Sequence, residues 1–188
     1  MLPLHVFEAR YRAMVVDALA RDRRLVVVKL RPGYEATYAG KPAVHTVAGA
    51  GEIVSCERLP TGRYNIMLKG LWRVRIEQEL PADVLYRLVA ARRLEDVAAA
   101  SDVSATLERI RSACGRLLRA LGRPPDLLDD ALAEGQPAGV IADRIAAAVL
   151  PDPALRQELL ETLEVPRRIE RVAGALDDLV NEVTGGRG

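Results

Sequence analysis

The sequence predicts an α+β fold: a small antiparallel sheet, closed into a barrel or strongly curled, carrying one helix near its start and followed by an α-helical bundle. Three observations carry this expectation. Apolar residues alternate with period two in several short runs up to about Asp96, they recur at three-and-four spacing after it, and Pro and Gly separate the runs. The chain is accordingly divided into a sheet-bearing part, 1–97, and a helical part, 98–188.

Each element follows from its residues. In LPLHVFEARYR, Leu2 to Arg12, the alternation of Leu2, Leu4 and Val6 reads as a strand. Phe7, Tyr11, Met14, Val15, Ala18 and Leu19 then share a helix face, so a helix over Phe7 to Leu19 packs on that strand, with Glu8 a polar position in its first turn. RLVVVKL, Arg24 to Leu30, is a short buried strand, and another runs from about Glu52 to Leu59. LPTGRY supplies the Pro and Gly of a hairpin into RYNIMLKGLWRVRI. There Tyr64, Ile66 and Leu68 alternate with Asn65, Met67 and Lys69, and Trp72, Val74 and Ile76 alternate with Arg73 and Arg75. These runs read as two neighbouring antiparallel strands with Gly70 marking the turn. YRLVAARRL, Tyr86 to Leu94, adds a strand after the break at Pro81, and curling would manage the edges.

Beyond Asp96, Ser101 or Ser104 caps a helix running to about Leu121, with Leu107, Ile110, Cys114, Leu117, Leu118 and Leu121 on one face. GRPPD stops it, Asp126 caps a short helix through Leu132, and GQP breaks that. Val140, Ile141, Ile145 and Val149 mark the next helix. Asp152 as N-cap with Pro153 in the first helical position starts another. Pro166 opens the last, whose seam is Ile169, Val172, Leu176, Leu179 and Val183. The terminal GGRG frays.

Bulk properties exclude several classes of function. With 49% hydrophobic residues in 188, the chain can bury a sizeable core. Lys plus Arg number 27 against 26 Asp plus Glu, so a net charge of +1 provides no global attraction for nucleic acid or an anionic membrane. Only Lys29, Lys41 and Lys69 are lysines, a bias read as base composition and not as an anion site. Cys56 and Cys114 lie far apart in segments of different character, which disfavours a disulfide framework and fits a reducing compartment. The absence of an N-terminal apolar h-region and of a membrane-length apolar run points to a soluble, cytoplasmic protein.

The residues of most enzymatic sites are also missing. Gly40-Lys41 is followed by Pro42 and lacks the spacing of a phosphate cradle. Gly49 and Gly51 are followed by Val54 at the third position of the dinucleotide fingerprint and by a strand where a helix is required. His5 and His45 have neither the i+4 His nor the paired Cys of a zinc site. No catalytic residue, metal ligand or cofactor is therefore assigned. His5 and Glu8 can form a capping or surface hydrogen bond, and His5 is taken as structural. Cys114 serves as a small hydrophobe on a helix face, and Cys56 sits among strand residues. Asp129-Asp130 and Asp177-Asp178 are adjacent on helices, where neighbours diverge into solvent.

In their order, LPLHVFEARYRAMVVDAL, GEIVSCERLPTGRYNIMLKGLWRVRI, YRLVAARRLED and ADRIAAAVLPDPALRQELLETLEVPRRIERV resemble the N-terminal, substrate-binding domain of the Lon protease family in its stand-alone bacterial form. The likeness extends over nearly the whole chain and implies a small PUA-like β-barrel followed by a helical subdomain. Full Lon proteases continue into ATPase and Ser-Lys protease modules, whereas this chain ends near Gly188, so the resemblance implies recognition without cleavage. The family also carries a strand and a Pro-Gly turn ahead of the LPLHVFE position, just after which Met1 stands. Either the start is assigned too late, or the barrel is one strand short and its unpaired backbone invites a peptide or a second copy.

Three functional readings follow. The leading one is a non-catalytic module in protein quality control or degradation, binding unfolded or partly folded protein segments and presenting them to a protease or chaperone. It would use a groove between barrel and bundle and a sheet edge, with Tyr34 and Tyr38 of the Arg31 to Pro42 loop and Met67, Leu71 and Trp72 near the hairpin as contacts. The second is an RNA-binding PUA-like module using Arg63, Arg73, Arg75, Arg87, Arg92 and Arg93, which the balanced charge disfavours. The third is an interaction scaffold using Ile169 to Val183, a seam for which burial in the bundle is preferred. No membrane partner is expected, and homo-oligomers are admitted.

Overall fold

The computed structural model describes residues 1–98, 102–133 and 135–185. Their backbone contacts group into two compact units, Met1–Leu94 and Glu95–Gly188.

The first unit is a five-stranded antiparallel sheet with one α-helix. Its elements are β1 (Leu2–Val6), α1 (Ala9–Leu19), β2 (Arg24–Val27), β3 (Val47–Arg58), β4 (Tyr64–Leu80) and β5 (Leu88–Leu94). The order is β1-β4-β3-β2, and β5 also pairs with β4. From Tyr64 on, RYNIMLKGLWRVRI is therefore part of one 17-residue strand, not two strands joined at Gly70. The register explains the misreading: Ala50 pairs with Trp72 but Gly51 pairs with Gly70, so Leu71 is the extra residue of a bulge. Further slips leave Val54 unpaired in β3 and Glu77 unpaired in β4. Gly51 belongs to the first bulge, where a Cβ would stand 3.1 Å from the Lys69 carbonyl oxygen.

A bulge moves the side chains beyond it to the other face of the sheet. Leu25 pairs with Gly51 and packs with Val15, Ala18, Ile53, Ile66 and Leu68 in a cluster under α1. The next residue, Val26, pairs with Ala50 and joins Ala48, Trp72, Val74 and Ile76. Successive strand residues face opposite sides, so these two clusters occupy opposite faces. Tyr64 to Ile76 looks like one continuous alternation yet supplies both. Phe7 lies outside α1 and is 58% exposed, while Val15 and Ala18 carry the buried helix face. β2 ends at Val27 and not Leu30, although Leu30 still bridges to Val44.

The second unit contains α2 (Ser104–Ala120), a 3-10 turn over Pro125–Leu128, α3 (Asp129–Leu132), α4 (Ala138–Val149), α5 (Pro153–Glu161) and α6 (Val165–Gly185). Ile110, Cys114 and Leu118 from α2, Ile141 and Ile145 from α4, and Ile169, Val172 and Leu176 from α6 fill one core. The α6 seam thus faces inward at its first three positions, while Leu179 and Val183 are half-buried. Burial pushes the Cys114 thiol up to about 11, which leaves little thiolate for chemistry. Asp152 caps α5 by accepting the Ala154 N–H at 2.7 Å. Ser104 is the first residue of α2 and not its cap: its hydroxyl and N–H donate to Asp102 Oδ1 at 2.6 and 2.9 Å, which lowers the Asp102 pKa. Ser101 lies outside the described residues. Asp126 falls inside the 3-10 turn and caps nothing.

This unit also buries a charge. Arg168 is fully inaccessible; its Nη2 and Nη1 donate to Asp96 Oδ2 and Oδ1 at 2.5 and 3.1 Å, and Nη1 also reaches the Thr162 carbonyl at 2.7 Å. Its Nε lies 3.1 Å from Asp143 Oδ1, an ion-pair distance, but off the N–H axis, so that nitrogen has charge compensation without a hydrogen bond. The space exists because residue 139 is glycine: a Cβ there would fall 2.6 Å from Nη2.

Candidate functional site

On the face of β1, β4 and β3 turned away from the α1 cluster, two cross-strand rows line a groove of about 420 Å³. Pro3 pairs with Met67 and Met67 with Ser55; His5 pairs with Asn65 and Asn65 with Glu57. The intervening row, Leu4, Ile66 and Cys56, packs toward α1, so period two puts polar and apolar sets on opposite sides of the same strands.

The second row forms a hydrogen-bonded chain. Asn65 Nδ2 donates to Glu57 Oε2 at 3.0 Å, and Asn65 Oδ1 lies 2.8 Å from His5 Nδ1. Glu57, when ionised, only accepts, which fixes the Asn65 amide and makes His5 Nδ1 the protonated nitrogen. In the neutral ring Nε2 then keeps a lone pair. Phe7 extends this face, its ring stacked on His5 with centroids 6.3 Å apart. The expected His5–Glu8 bond is replaced by this chain because β1 pairing aims His5 at Asn65. Glu8 instead binds Arg10 at 2.8 Å and accepts from the Tyr38 hydroxyl at 2.8 Å.

Of the residues chosen from sequence, Met67 lines this groove. Tyr34 and Tyr38 meet each other, ring centroids 6.1 Å apart, in the loop that docks on the start of α1. Arg10 lies over the Tyr38 and Tyr11 rings, and the bond to Glu8 raises the Tyr38 pKa. Leu71 is the bulge residue. Trp72 is half-buried in the second cluster, with the Arg24 and Arg93 guanidinium carbons 5.0 and 5.3 Å from its ring. Phe7, His5, Ser55, Glu57 and Asn65 do not stand out in the sequence; the only signal for His5, Ser55, Glu57 and Asn65 is their place at alternate positions of β1, β3 and β4, because strand register is not written locally.

The arginines of β4 and β5 are interleaved with acids. Arg75 opposes Arg92, but Arg92 pairs with Glu77 at 3.1 Å, and Arg87 and Lys41 both pair with Glu79. The Arg87 hydrogen bond holds the Glu79 carboxyl below its usual range. Asp177 likewise clasps Arg109 and Arg116 at 2.8 and 2.7 Å, instead of being merely solvated. Burial raises the Cys56 thiol against a smaller opposing effect of Arg23, which disfavours a reactive thiolate. Among the described residues no group of three or more His, Cys, Asp or Glu side chains is placed to hold a metal ion, and no helix is long and apolar enough to cross a membrane.

Residues 1–178 match the ATP-dependent protease La (LON) substrate-binding domain. Similar curated proteins include the Lon protease of Xanthomonas oryzae pv. oryzae, 24% identical over 179 residues, covering 94% of this chain and 21% of that protein. Lon protease 1 of Syntrophobacter fumaroxidans is 26% identical over 180 residues, covering 94% of this chain and 22% of the relative. The chain thus spans about a fifth of the length of these relatives. Among solved structures, the N-terminal domain of the Mycobacterium avium complex Lon protease superposes with a TM-score of 0.73 at 16% identity, covering 94% of this chain and 90% of that one. A Lon N-terminal domain protein from Xanthomonas campestris gives 0.59 at 20% identity, covering 92% and 88%.

Proposed function

Because the chain belongs to the LON substrate-binding domain family, we propose that it holds unfolded or partly folded segments of other proteins without cleaving them. The observation that carries this reading is the groove of β1, β4 and β3, where Met67 and Pro3 offer apolar contact beside hydrogen-bonding side chains on a rigid sheet. Phe7, more than half exposed and held by His5, supplies an aromatic anchor at its end. Tyr34, Tyr38, Leu71 and Trp72 act as supporting surface, with Met67 at the main contact. The module works in the cytoplasm, in quality control or degradation, handing its clients to a protease or chaperone. RNA is the disfavoured ligand, because Glu77 and Glu79 neutralise Arg92 and Arg87.

The deciding experiment is competition. A labelled unfolded polypeptide should bind, be displaced by unlabelled unfolded protein but not by its folded form, and be weakened about tenfold by Met67→Asp. No detectable binding of any unfolded polypeptide would overturn the proposal, as would binding of structured RNA with a steep salt dependence and no binding of polypeptide.

A further inference from the structure

The polar wall of the groove is built almost wholly of acceptors. Glu57 is the one charged side chain among the groove-lining residues, and its Oε2 accepts from Asn65. Its Oε1 has no partner among the described residues. Asn65 is committed on both sides, donating to Glu57 and accepting from His5, so it leaves the Glu57 carboxylate as the charged acceptor of the wall. Ser55 adds a hydroxyl that can accept. Opposite this wall, Met67 and Pro3 are aliphatic. The next row on the same face sets Glu52 against Lys69 and is balanced in charge.

Such a site is complementary to a long side chain with an aliphatic stem and a cationic, donor-only head. We propose that the groove takes an arginine or lysine side chain of an extended polypeptide segment, the stem lying along Met67 and Pro3 and the head meeting the Glu57 carboxylate. This rests on the polypeptide-binding reading and narrows it: preferred clients carry a basic residue next to an apolar one. The volume, about 420 Å³, lies within the range of about 300–1,000 Å³ usual for small-ligand clefts. A net charge of +1 gives a basic segment no bulk attraction, so any preference must be local.

The test is fluorescence anisotropy of the full chain with two labelled unstructured peptides of the same Leu-containing sequence, one with Arg and one with Gln at the central positions. The Arg peptide should bind about fivefold tighter. Glu57→Gln, which keeps an acceptor for Asn65, should abolish the gap, while Glu108→Gln on α2 should leave it intact. Equal affinities in the unsubstituted protein would overturn the basic preference and leave polypeptide binding standing. A gap that survives Glu57→Gln would overturn the location. Failure of both peptides and of unfolded protein would remove the polypeptide-binding reading and this inference together.

Discussion

The two units manage their polar groups in opposite ways. In the sheet unit, His5, Asn65 and Glu57 stand on one face of β1, β4 and β3 while the alternate residues Leu4, Ile66 and Cys56 pack in the cluster under α1. In the helical unit the core contains an inaccessible arginine, matched by Asp96, Asp143 and a backbone carbonyl. A half-covered sheet can keep a polar, ligand-accessible surface at little cost, because period two separates it from the core. The helices have no such spare face near Arg168, and its charge is tolerated only because three groups converge on it. His5, Glu57 and Asn65 on the first unit's groove face are thus exposed to solvent, and the polar groups around Arg168 are committed to structure.

This contrast can be broken by substitution. The largest loss should come from Ile53→Ala, whose fully buried side chain touches both α1 and β4 neighbours: about 4 kcal/mol. Trp72 is the only tryptophan and lies in the sheet unit, so its fluorescence should report this unfolding directly. Asp96→Ala should cost about 3 kcal/mol, the low end for an orphaned buried charge, because Asp143 remains and Asp96 is itself about a third exposed. Its signature should be helical circular dichroism, since five of the six α-helices among the described residues lie in the second unit. If these two probes melt together in both variants, the units are not separate in energy.

Gly139→Ala should follow at about 2 kcal/mol, by forcing the Arg168–Asp96 pair apart. Met67→Asp should change stability by only about 0.5 kcal/mol while weakening polypeptide binding, separating the two roles most sharply. The smallest effect is a pH dependence. The Glu8 carboxylate raises the Tyr38 pKa above 10, so the bond stabilises the loop fully below pH 10 and is lost as pH rises through the raised value. Ultraviolet titration should show two tyrosines ionising late, Tyr38 and Tyr86, whose hydroxyl donates to Asp17 at 2.7 Å, and Tyr38→Phe should remove one of the two.

Local sequence determined a good deal of this protein. The change of period near Asp96, the strand Leu2–Val6, the Asp152–Pro153 start of α5 and the inward face of α6 all depend on interactions within a few residues, which composition and spacing record. The family resemblance was legible from the order of segments. Tertiary structure decided the remainder. A single extra residue at Leu71 turned an unbroken alternation into two clusters on opposite faces, because side-chain direction past a bulge depends on the partner strand. Glu57, Asn65 and His5 met only through the register of three strands, and Arg168 found Asp96 across 72 residues. A hydrogen bond or ion pair needs its partner at a fixed distance and angle, and chain folding, not neighbouring sequence, brings such distant groups together.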